Sequence, residues 1–172
     1  MINLDRLLTK GSKAERLLYH CVQRDYGQEW LPTHFDSQLV LKHAKTRHTP
    51  RYRYDFQWHY PSLDLKQDVK VAVEVQGGIW GTHKSKKSGH NTGKGIMRDM
   101  AKVNFAQCND YEIFLVHGHA TDSEMCEFIR MVLGVVASKR GKTLTRLIPD
   151  TRRPEPFKGT EELAVLQGEL WG

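Results

Sequence analysis

Two short runs in the middle of the chain carry the residues best suited to chemistry. Asp55 lies in the first run, and Glu74 and Gln76 lie in the second. If the two runs pair as strands, these three side chains share one polar face. Carboxylate and amide oxygens, together with a backbone carbonyl such as that of Val75, are the ligands that Mg²⁺ prefers. The two runs therefore contain a candidate site for a hard divalent cation.

The strands that would position these residues are predicted from period-two alternation. Aromatic residues recur at every second position of the first run, and valines do so in the second. They are Tyr52, Tyr54, Phe56 and Trp58, and Val69, Val71, Val73 and Val75. Such alternation is typical of a strand with one face on a core. It fits a metal site and also fits two half-exposed strands that carry scattered acids, and the pattern alone does not decide between them.

Capping boxes mark the start of two predicted helices. Ser12 is the expected N-cap of the first helix, with Glu15 reaching back to it, and Thr121 and Glu124 have the same relation at the second. Before the second of these helices, residues 111–116 form an apolar run of strand length. Helices and strands therefore alternate along the chain.

A further helix is predicted from about Ile96 to Cys108. We expect three apolar residues on it to face the core, namely Ile96, Met100 and Val103. Basic residues follow at i, i+4 and i+8 and form one stripe, which comprises Lys94, Arg98 and Lys102. Such a stripe is commonly an exposed, solubilising face. Its place directly after the acidic pair favours phosphate binding instead.

The composition indicates one globular domain with an anionic partner. The chain has 172 residues, 39% of them hydrophobic and 27% charged, which is enough for one domain with a core. The formal charge of +6 favours nucleic acid as the partner. Five basic residues occur with no acid among them, and they are Lys42, Lys45, Arg47, Arg51 and Arg53.

The cysteines and the apolar runs predict the compartment. Cys21, Cys108 and Cys126 are interpreted as buried thiols of a reduced compartment. No apolar run approaches the length of about 18 residues that crosses a membrane, and the N-terminus lacks the apolar segment of a secretion signal. We therefore expect a cytoplasmic protein without a membrane partner.

A longer string of residues resembles the PD-(D/E)XK nuclease superfamily. The string runs from Asp55 through Glu74-Val75-Gln76-Gly77-Gly78-Ile79-Trp80 and His90 to Gly93-Lys94-Gly95 and Asp99-x-x-Lys102-x-Asn104. More narrowly, it is similar to small phage-type endonucleases and their very-short-patch-repair-like relatives. The resemblance covers roughly Glu15 to Val116. If the protein is phage-encoded, its compartment is the host cytoplasm.

The resemblance implies both a fold and an activity. The fold is α/β and restriction-endonuclease-like, with a mixed sheet of four or five strands flanked by helices. The activity is Mg²⁺-dependent hydrolysis of phosphodiester bonds in DNA, with Mn²⁺ as a substitute for Mg²⁺. Such nucleases often place a glutamate of the first helix beside the metal. Glu15 is therefore expected to act as a helix cap, as a site residue, or as both.

One position departs from the family pattern, because Gln76 stands where the family has a lysine two residues after the glutamate. Gln76 is expected to donate an oxygen to the metal or to hold a water molecule. Lys102 or Lys94, from the following helix, is expected to supply the missing cation. DNA contacts are expected from the basic residues around the site, namely Arg51, Arg53, Lys84, Lys86, Lys87, His90, Lys94 and Arg98.

Two other classes of function stay open. A DNA-binding module without catalysis would keep the basic surface and lose the metal, although the joint presence of Asp55 and Glu74 disfavours it. A zinc-stabilised binding protein would use His83, His90 and Cys108, whose spacing is not typical of zinc sites. Among nucleases, structure-selective cleavage of branched DNA ranks before mismatch nicking and restriction-like cleavage, because no separate recognition domain is evident.

The domain boundary is predicted near the end of the last capped helix. Residues 1–140 are expected to form the nuclease domain, and residues 141–172 a basic linker with a short C-terminal helix from Thr160 to Trp171. That tail lies outside the resemblance. It could dock on the domain or on a second copy, so a homodimer is one arrangement that the sequence allows.

Overall fold

The chain folds into three layers, with a four-stranded sheet between two sets of helices. The computed structural model describes residues 4–41, 46–61, 68–77 and 93–147. The helices are α1 (Leu4–Lys10), α2 (Lys13–Tyr26), α3 (Gly93–Gln107) and α4 (Asp122–Arg140), with a 3₁₀ turn at Gln28–Trp30. The strands are β1 (His34–Ser37), β2 (Tyr54–Tyr60), β3 (Val69–Gln76) and β4 (Glu112–His117).

The sheet is mixed, and its strands lie in the order β1-β2-β3-β4. β1, β2 and β3 are antiparallel neighbours, whereas β4 runs parallel to β3. A parallel pair needs a crossover connection, and α3 lies in the one between β3 and β4. The prediction of an α/β fold with a mixed sheet flanked by helices is confirmed.

The larger core lies between the sheet and the helices α2 and α4. Alternating residues of β2 and β3 supply the sheet side of this core, among them Phe56, Trp58, Val71 and Val73. Both helices begin at the predicted capping boxes, because Ser12 Oγ and Thr121 Oγ1 accept from the backbone N–H three residues later. Helix starts were predictable because a cap is a local interaction.

The smaller core lies on the opposite face of the sheet, under α3. Its buried residues are Leu39, Tyr54, Ala72, Ala106 and Tyr111. The prediction that Tyr54 shares a face with Phe56 and Trp58 was wrong, because those two belong to the larger core. The alternation of β2 is interrupted at Asp55, next to the point where its pairing with β3 ends.

The inward face of α3 differs from the predicted one. Ile96 is 52% and Met100 60% exposed, so the expectation that both face the core was wrong. Only Ala106 is fully buried on the helix, and the predicted Val103 is partly buried, as are Gly95, Asp99, Lys102 and Phe105. The first part of α3 lies near carboxylates, so polar side chains take the inward positions there.

The strand before β2 is β1, at His34–Ser37, and residues 38–41 after it have no regular secondary structure. The Tyr111 hydroxyl accepts from the Val40 backbone N–H (3.2 Å) and donates to the Val40 carbonyl (3.1 Å). Those backbone groups are therefore held by a side chain and not by a neighbouring strand.

The chain stays on the domain for several residues after α4. Gly141 ends the helix in the left-handed conformation at φ 61°. Further on, the Leu147 N–H donates to the Asp25 carbonyl at 2.7 Å, and Arg146 pairs with the Asp25 carboxylate at 2.9 Å. The rest of the tail, including the C-terminal helix expected at 160–171, lies outside the described residues. Within the described ranges, no helix has the length and apolar character needed to cross a membrane.

Candidate active site at the ends of two central strands

The carboxylates of Asp55 and Glu74 meet where the backbone pairing of β2 and β3 stops. The last paired residues are Phe56 and Val73. Just beyond them, the Asp55 N–H donates to Glu74 Oε1 (3.3 Å), and the Val75 N–H donates to Asp55 Oδ2 (2.7 Å). Each carboxylate thus accepts from the backbone of the opposite strand. These contacts keep the two carboxylates within about 8 Å of one another, given ordinary bond lengths.

Lys102 reaches this pair from α3. Its Nζ lies 2.5 Å from Glu74 Oε1, and the two side chains are only 15% and 14% exposed. The ammonium group also lies 4.9 Å from the centre of the Tyr54 ring. The Tyr54 hydroxyl in turn donates to the Lys102 carbonyl at 2.7 Å. Tyr54 therefore fixes both the backbone and the charged end of Lys102.

When the Asp55 and Glu74 carboxyls are both ionised, their charge exceeds that of Lys102, the cation in contact with Glu74. Burial, followed by the charges of Glu74 and Glu15, raises the pKa of Asp55 to about 8. Burial also raises the pKa of Glu74, although Lys102 acts against that rise. A divalent cation at the two carboxylates would offset this excess.

Glu15 caps α2, and its charge also acts on Asp55. Its carboxylate accepts from the Ser12 N–H and completes the capping box of α2. The same carboxylate is close enough for its charge to contribute to the raised pKa of Asp55. Helix capping and a place beside the acidic pair therefore coexist in one residue.

Gln76 lies two residues after Glu74, on the same face of β3, and is partly exposed. Its carbonyl accepts from the Gly118 N–H at 2.8 Å, which ties the end of β3 to the turn after β4. In the parallel register Gln76 is the partner of His117. Gln76 and His117 are thus neighbours at the open end of the sheet.

The structure separates the basic residues expected near the site. Lys102 is at the carboxylates, whereas Lys94 and Arg98 are exposed on α3. Arg51 is exposed before β2, and the half-exposed Arg53 pairs with Asp36 at 2.5 Å. The predicted loop contacts Lys84, Lys86, Lys87 and His90 lie outside the described residues, as does His83.

Sequence reasoning missed the roles of Asp99 and Tyr54. Asp99 precedes Lys102 by three residues on α3, and its charge contributes to the raised pKa of Glu74. The i, i+3 spacing could have indicated this, because such residues share a helix face. No local signal could have indicated Tyr54, whose contact with Lys102 depends on how α3 crosses the sheet.

The carboxylate oxygens of Asp55 and Glu74 fit a Mg²⁺ site in which a substrate would supply further ligands. Among the described residues, no group of three or more His, Cys, Asp or Glu side chains is arranged to hold a metal ion. Mg²⁺ typically keeps several waters and binds through one or two carboxylates plus substrate phosphates. The partly buried pair of Asp55 and Glu74 suits that mode, because its oxygens are hard donors and, when both carboxyls are ionised, their charge is incompletely balanced.

Comparisons with protein-family models, with curated proteins and with solved structures found no match for the chain. The geometry of Asp55, Glu74 and Lys102 is therefore the basis on which a function can be inferred.

Proposed function

We propose that the protein is a divalent-metal-dependent deoxyribonuclease that hydrolyses phosphodiester bonds. The observation that carries this proposal is the partly buried pair of Asp55 and Glu74, with Lys102 Nζ 2.5 Å from Glu74 Oε1. A carboxylate pair that accepts backbone donors and faces one preorganised lysine supplies both a cation site and an adjacent positive charge. Those are the two requirements of metal-assisted phosphoryl hydrolysis.

Asp55, Glu74 and the Val75 carbonyl are the proposed ligands, with Glu15 as an outer acidic neighbour. Bound Mg²⁺ or Mn²⁺ would polarise a phosphoryl oxygen and lower the pKa of a bound water molecule. Asp55 and Glu74 position their oxygens through contacts to the opposite strand, so they are preorganised before substrate arrives. Gln76 contributes an amide that can hold a water molecule at the end of β3.

Lys102 has the proposed role of the family lysine whose position in this sequence is occupied by Gln76. Its ammonium group is held between Glu74 and the Tyr54 ring, close to where a phosphate contacting the carboxylates would lie. A fixed positive charge there stabilises the charge that develops on the phosphoryl oxygens. Lys94 is exposed near the start of the same helix and suits phosphate binding better than catalysis.

DNA is the proposed substrate, and branched DNA is the preferred class. The net charge of +6 and the exposed basic residues Arg51, Lys94 and Arg98 support a polyanionic partner. A small domain with its proposed catalytic groups at the ends of two central strands suits recognition of DNA shape more than of a long sequence. Mismatch nicking and restriction-like cleavage are the alternatives within the same chemistry.

The test is a cleavage assay on circular, linear and branched DNA, with Mg²⁺, with Mn²⁺ and with excess chelator. We expect cleavage in either metal, none in chelator, and the fastest cleavage on branched DNA. Cleavage that persists unchanged in chelator would contradict a metal-dependent mechanism. Tight binding with no cleavage of any substrate would favour a non-catalytic DNA-binding module and overturn the proposal.

A further inference from the structure

A pair of cysteines joins two helices on the face of the sheet opposite α3. Cys21 lies in α2 and Cys126 in α4, and their Sγ atoms are 3.6 Å apart. Cys21 is fully buried, whereas Cys126 is partly exposed. The third cysteine, Cys108, is exposed just after α3, so the expectation that all three thiols are buried was wrong. The exposed Cys108 thiol can therefore be compared with the two thiols that are in contact.

An arginine is positioned at the two sulfur atoms. Arg24 Nη2 lies 3.1 Å from Cys126 Sγ and 3.8 Å from Cys21 Sγ. Its Nε donates to the buried carboxylate of Asp25 at 2.7 Å, and its Nη1 is 3.8 Å from Asp122. The carboxylates of Asp25 and Asp122 therefore hold the Arg24 guanidinium beside the two sulfur atoms.

The two thiols are chemically different. The hydrogen bond with Cys21 is the main cause that lowers the pKa of Cys126, and the charge of Arg24 adds to it while burial acts against it. The same hydrogen bond, followed by burial, raises the pKa of Cys21. Cys126 is the sulfur better suited to be a thiolate, because it is partly exposed and lies nearer to the Arg24 guanidinium, at 3.1 Å against 3.8 Å for the buried Cys21.

We propose that Cys21 and Cys126 form a redox site at which a hydroperoxide oxidises the two thiols to an intramolecular disulfide. The proposal rests on the contact between the two sulfur atoms and on the guanidinium of Arg24 at Cys126. It is independent of the proposed nuclease activity, because Asp55 and Glu74 take no part in it. Disulfides in reducing compartments are typically transient and redox-sensing, which is the kind of site this pair fits.

The chemistry balances in two steps. The Cys126 thiolate attacks one oxygen of the hydroperoxide, the O–O bond breaks, and the sulfenic acid forms while the other oxygen leaves with a proton as water or alcohol. The Cys21 sulfur then attacks the Cys126 sulfur, and the S–O bond breaks. The leaving hydroxyl takes the Cys21 proton and departs as water. Two thiols lose two electrons in total, and the hydroperoxide gains them.

The helices need little rearrangement for the bond to form. A disulfide brings its sulfur atoms to about 2.05 Å, so the observed pair must approach by only about 1.5 Å. The bond would close a loop between residues 105 positions apart. Because closing a long loop restricts the unfolded chain, the oxidised protein should have a higher Tm than the reduced protein.

The test uses the full chain with Cys108→Ser, which removes the exposed thiol and leaves the pair. After treatment with hydrogen peroxide, we expect loss of both free thiols, an intact mass lower by two hydrogen atoms and a monomer on a non-reducing gel. A thiol reductant should restore both thiols. The matched variant Cys108→Ser with Cys126→Ala should keep its Cys21 thiol under the same treatment.

Two results would overturn the proposal. One is retention of both thiols in Cys108→Ser at a peroxide exposure that fully oxidises a small free thiol. The other is a gain of oxygen on Cys126 or Cys21, located by peptide mass mapping so that methionine sulfoxide is not counted, without a disulfide between the two cysteines. Because the Cys108→Ser protein changes only an exposed residue and keeps both Cys21 and Cys126, neither result depends on whether a core variant folds.

Discussion

Substitution of Lys102 tests most directly whether its contact with Glu74 is part of a catalytic site or only a stabilising ion pair. It contacts Glu74 Oε1 at 2.5 Å and is almost buried, whereas Lys94, two turns earlier on the same helix, is exposed. The two lysines lie on the same helix and so form a matched pair. They differ because Lys102 contacts Glu74, whereas Lys94 is exposed. Substitution of each by methionine keeps much of the aliphatic side chain and removes the charge.

Lys102→Met should therefore slow single-turnover cleavage at saturating enzyme by about 10²–10³-fold, the usual cost of losing one preorganised electrostatic contact to the transition state. Lys94→Met should cleave at the parent rate under those conditions and show only weaker, less salt-dependent DNA binding. The reverse pattern would assign the missing cation to Lys94. Parent rates in both variants would mean that Gln76 and the metal suffice.

Asp55 gives a prediction about stability that does not require DNA. Burial and the Glu74 charge raise its pKa to about 8, above the ordinary value for an aspartate. The folded state thus favours the protonated carboxyl, and this contribution is lost as pH rises from the unfolded pKa through about 8. In chelator at pH 8, Asp55→Asn should therefore raise the free energy of unfolding, on the order of 2 kcal/mol, because each pKa unit is worth about 1.4 kcal/mol and solvent screens part of it.

Thermal unfolding at two pH values checks this prediction. The gain from Asp55→Asn should shrink at pH 5, where the parent carboxyl is itself largely protonated in the folded state. Added Mg²⁺ should raise the Tm of the parent at pH 8 and not that of Asp55→Asn. A variant that is less stable than the parent at pH 8 would show that the ionised Asp55 carboxylate stabilises the metal-free protein, which a raised pKa does not allow.

At the scale of elements, α3 connects the fold to the site. Ala106 is fully buried against the sheet, one turn after Lys102, and Tyr54 holds the Lys102 carbonyl. A larger side chain at Ala106 would push the helix away from the sheet, and overpacking of this kind costs about 1–3 kcal/mol. The Lys102 ammonium would then move away from Glu74.

Ala106→Leu should consequently lower both the free energy of unfolding in urea and the single-turnover rate. Ala101→Leu is the matched control, because Ala101 lies on the exposed side of the same helix. The control should be as stable as the parent and cleave at the parent rate. If Ala106→Leu lost stability but kept the parent rate, the position of α3 would not govern the site.

The same helix shows why the inward face could not be predicted from apolar spacing. Ile96 and Met100 have helical spacing but are exposed, while Asp99 and Lys102 lie near the acidic pair. Hydrophobic periodicity assumes that the surface under a helix is apolar. Here the first half of α3 covers the end of two strands that carry carboxylates, so the assumption fails there. It holds in the second half, where Phe105 and Ala106 pack against the smaller core.

At the scale of the whole molecule, the features fixed by short-range chemistry were predictable. The capping boxes at Ser12 and Thr121 and the pairing of Asp55 with Glu74 on adjacent strands are of this kind. Contacts between distant segments were not, because no periodicity encodes which elements become neighbours. Examples are the Tyr54 contact with Lys102 and the contact of Cys21 with Cys126.

The three layers also separate two kinds of chemistry in space. The acidic site and α3 lie towards one face of the sheet, while the cysteine pair lies between α2 and α4 on the other. Glu15 on α2 caps that helix and contributes to the raised pKa of Asp55, but it takes no part in the cysteine pair. The nuclease proposal and the redox proposal can therefore be tested separately in one preparation.

The most direct test of the central claim is single-turnover cleavage of branched DNA by Asp55→Asn and Glu74→Gln at saturating enzyme in Mg²⁺. Glu127→Gln is the matched control, because Glu127 is an exposed acid on α4. We predict that the two site variants bind DNA but do not cleave it, since each removes one of two carboxylates from the metal site, and that the control cleaves at the parent rate. Cleavage at the parent rate by either Asp55→Asn or Glu74→Gln would contradict a metal site built on these two carboxylates.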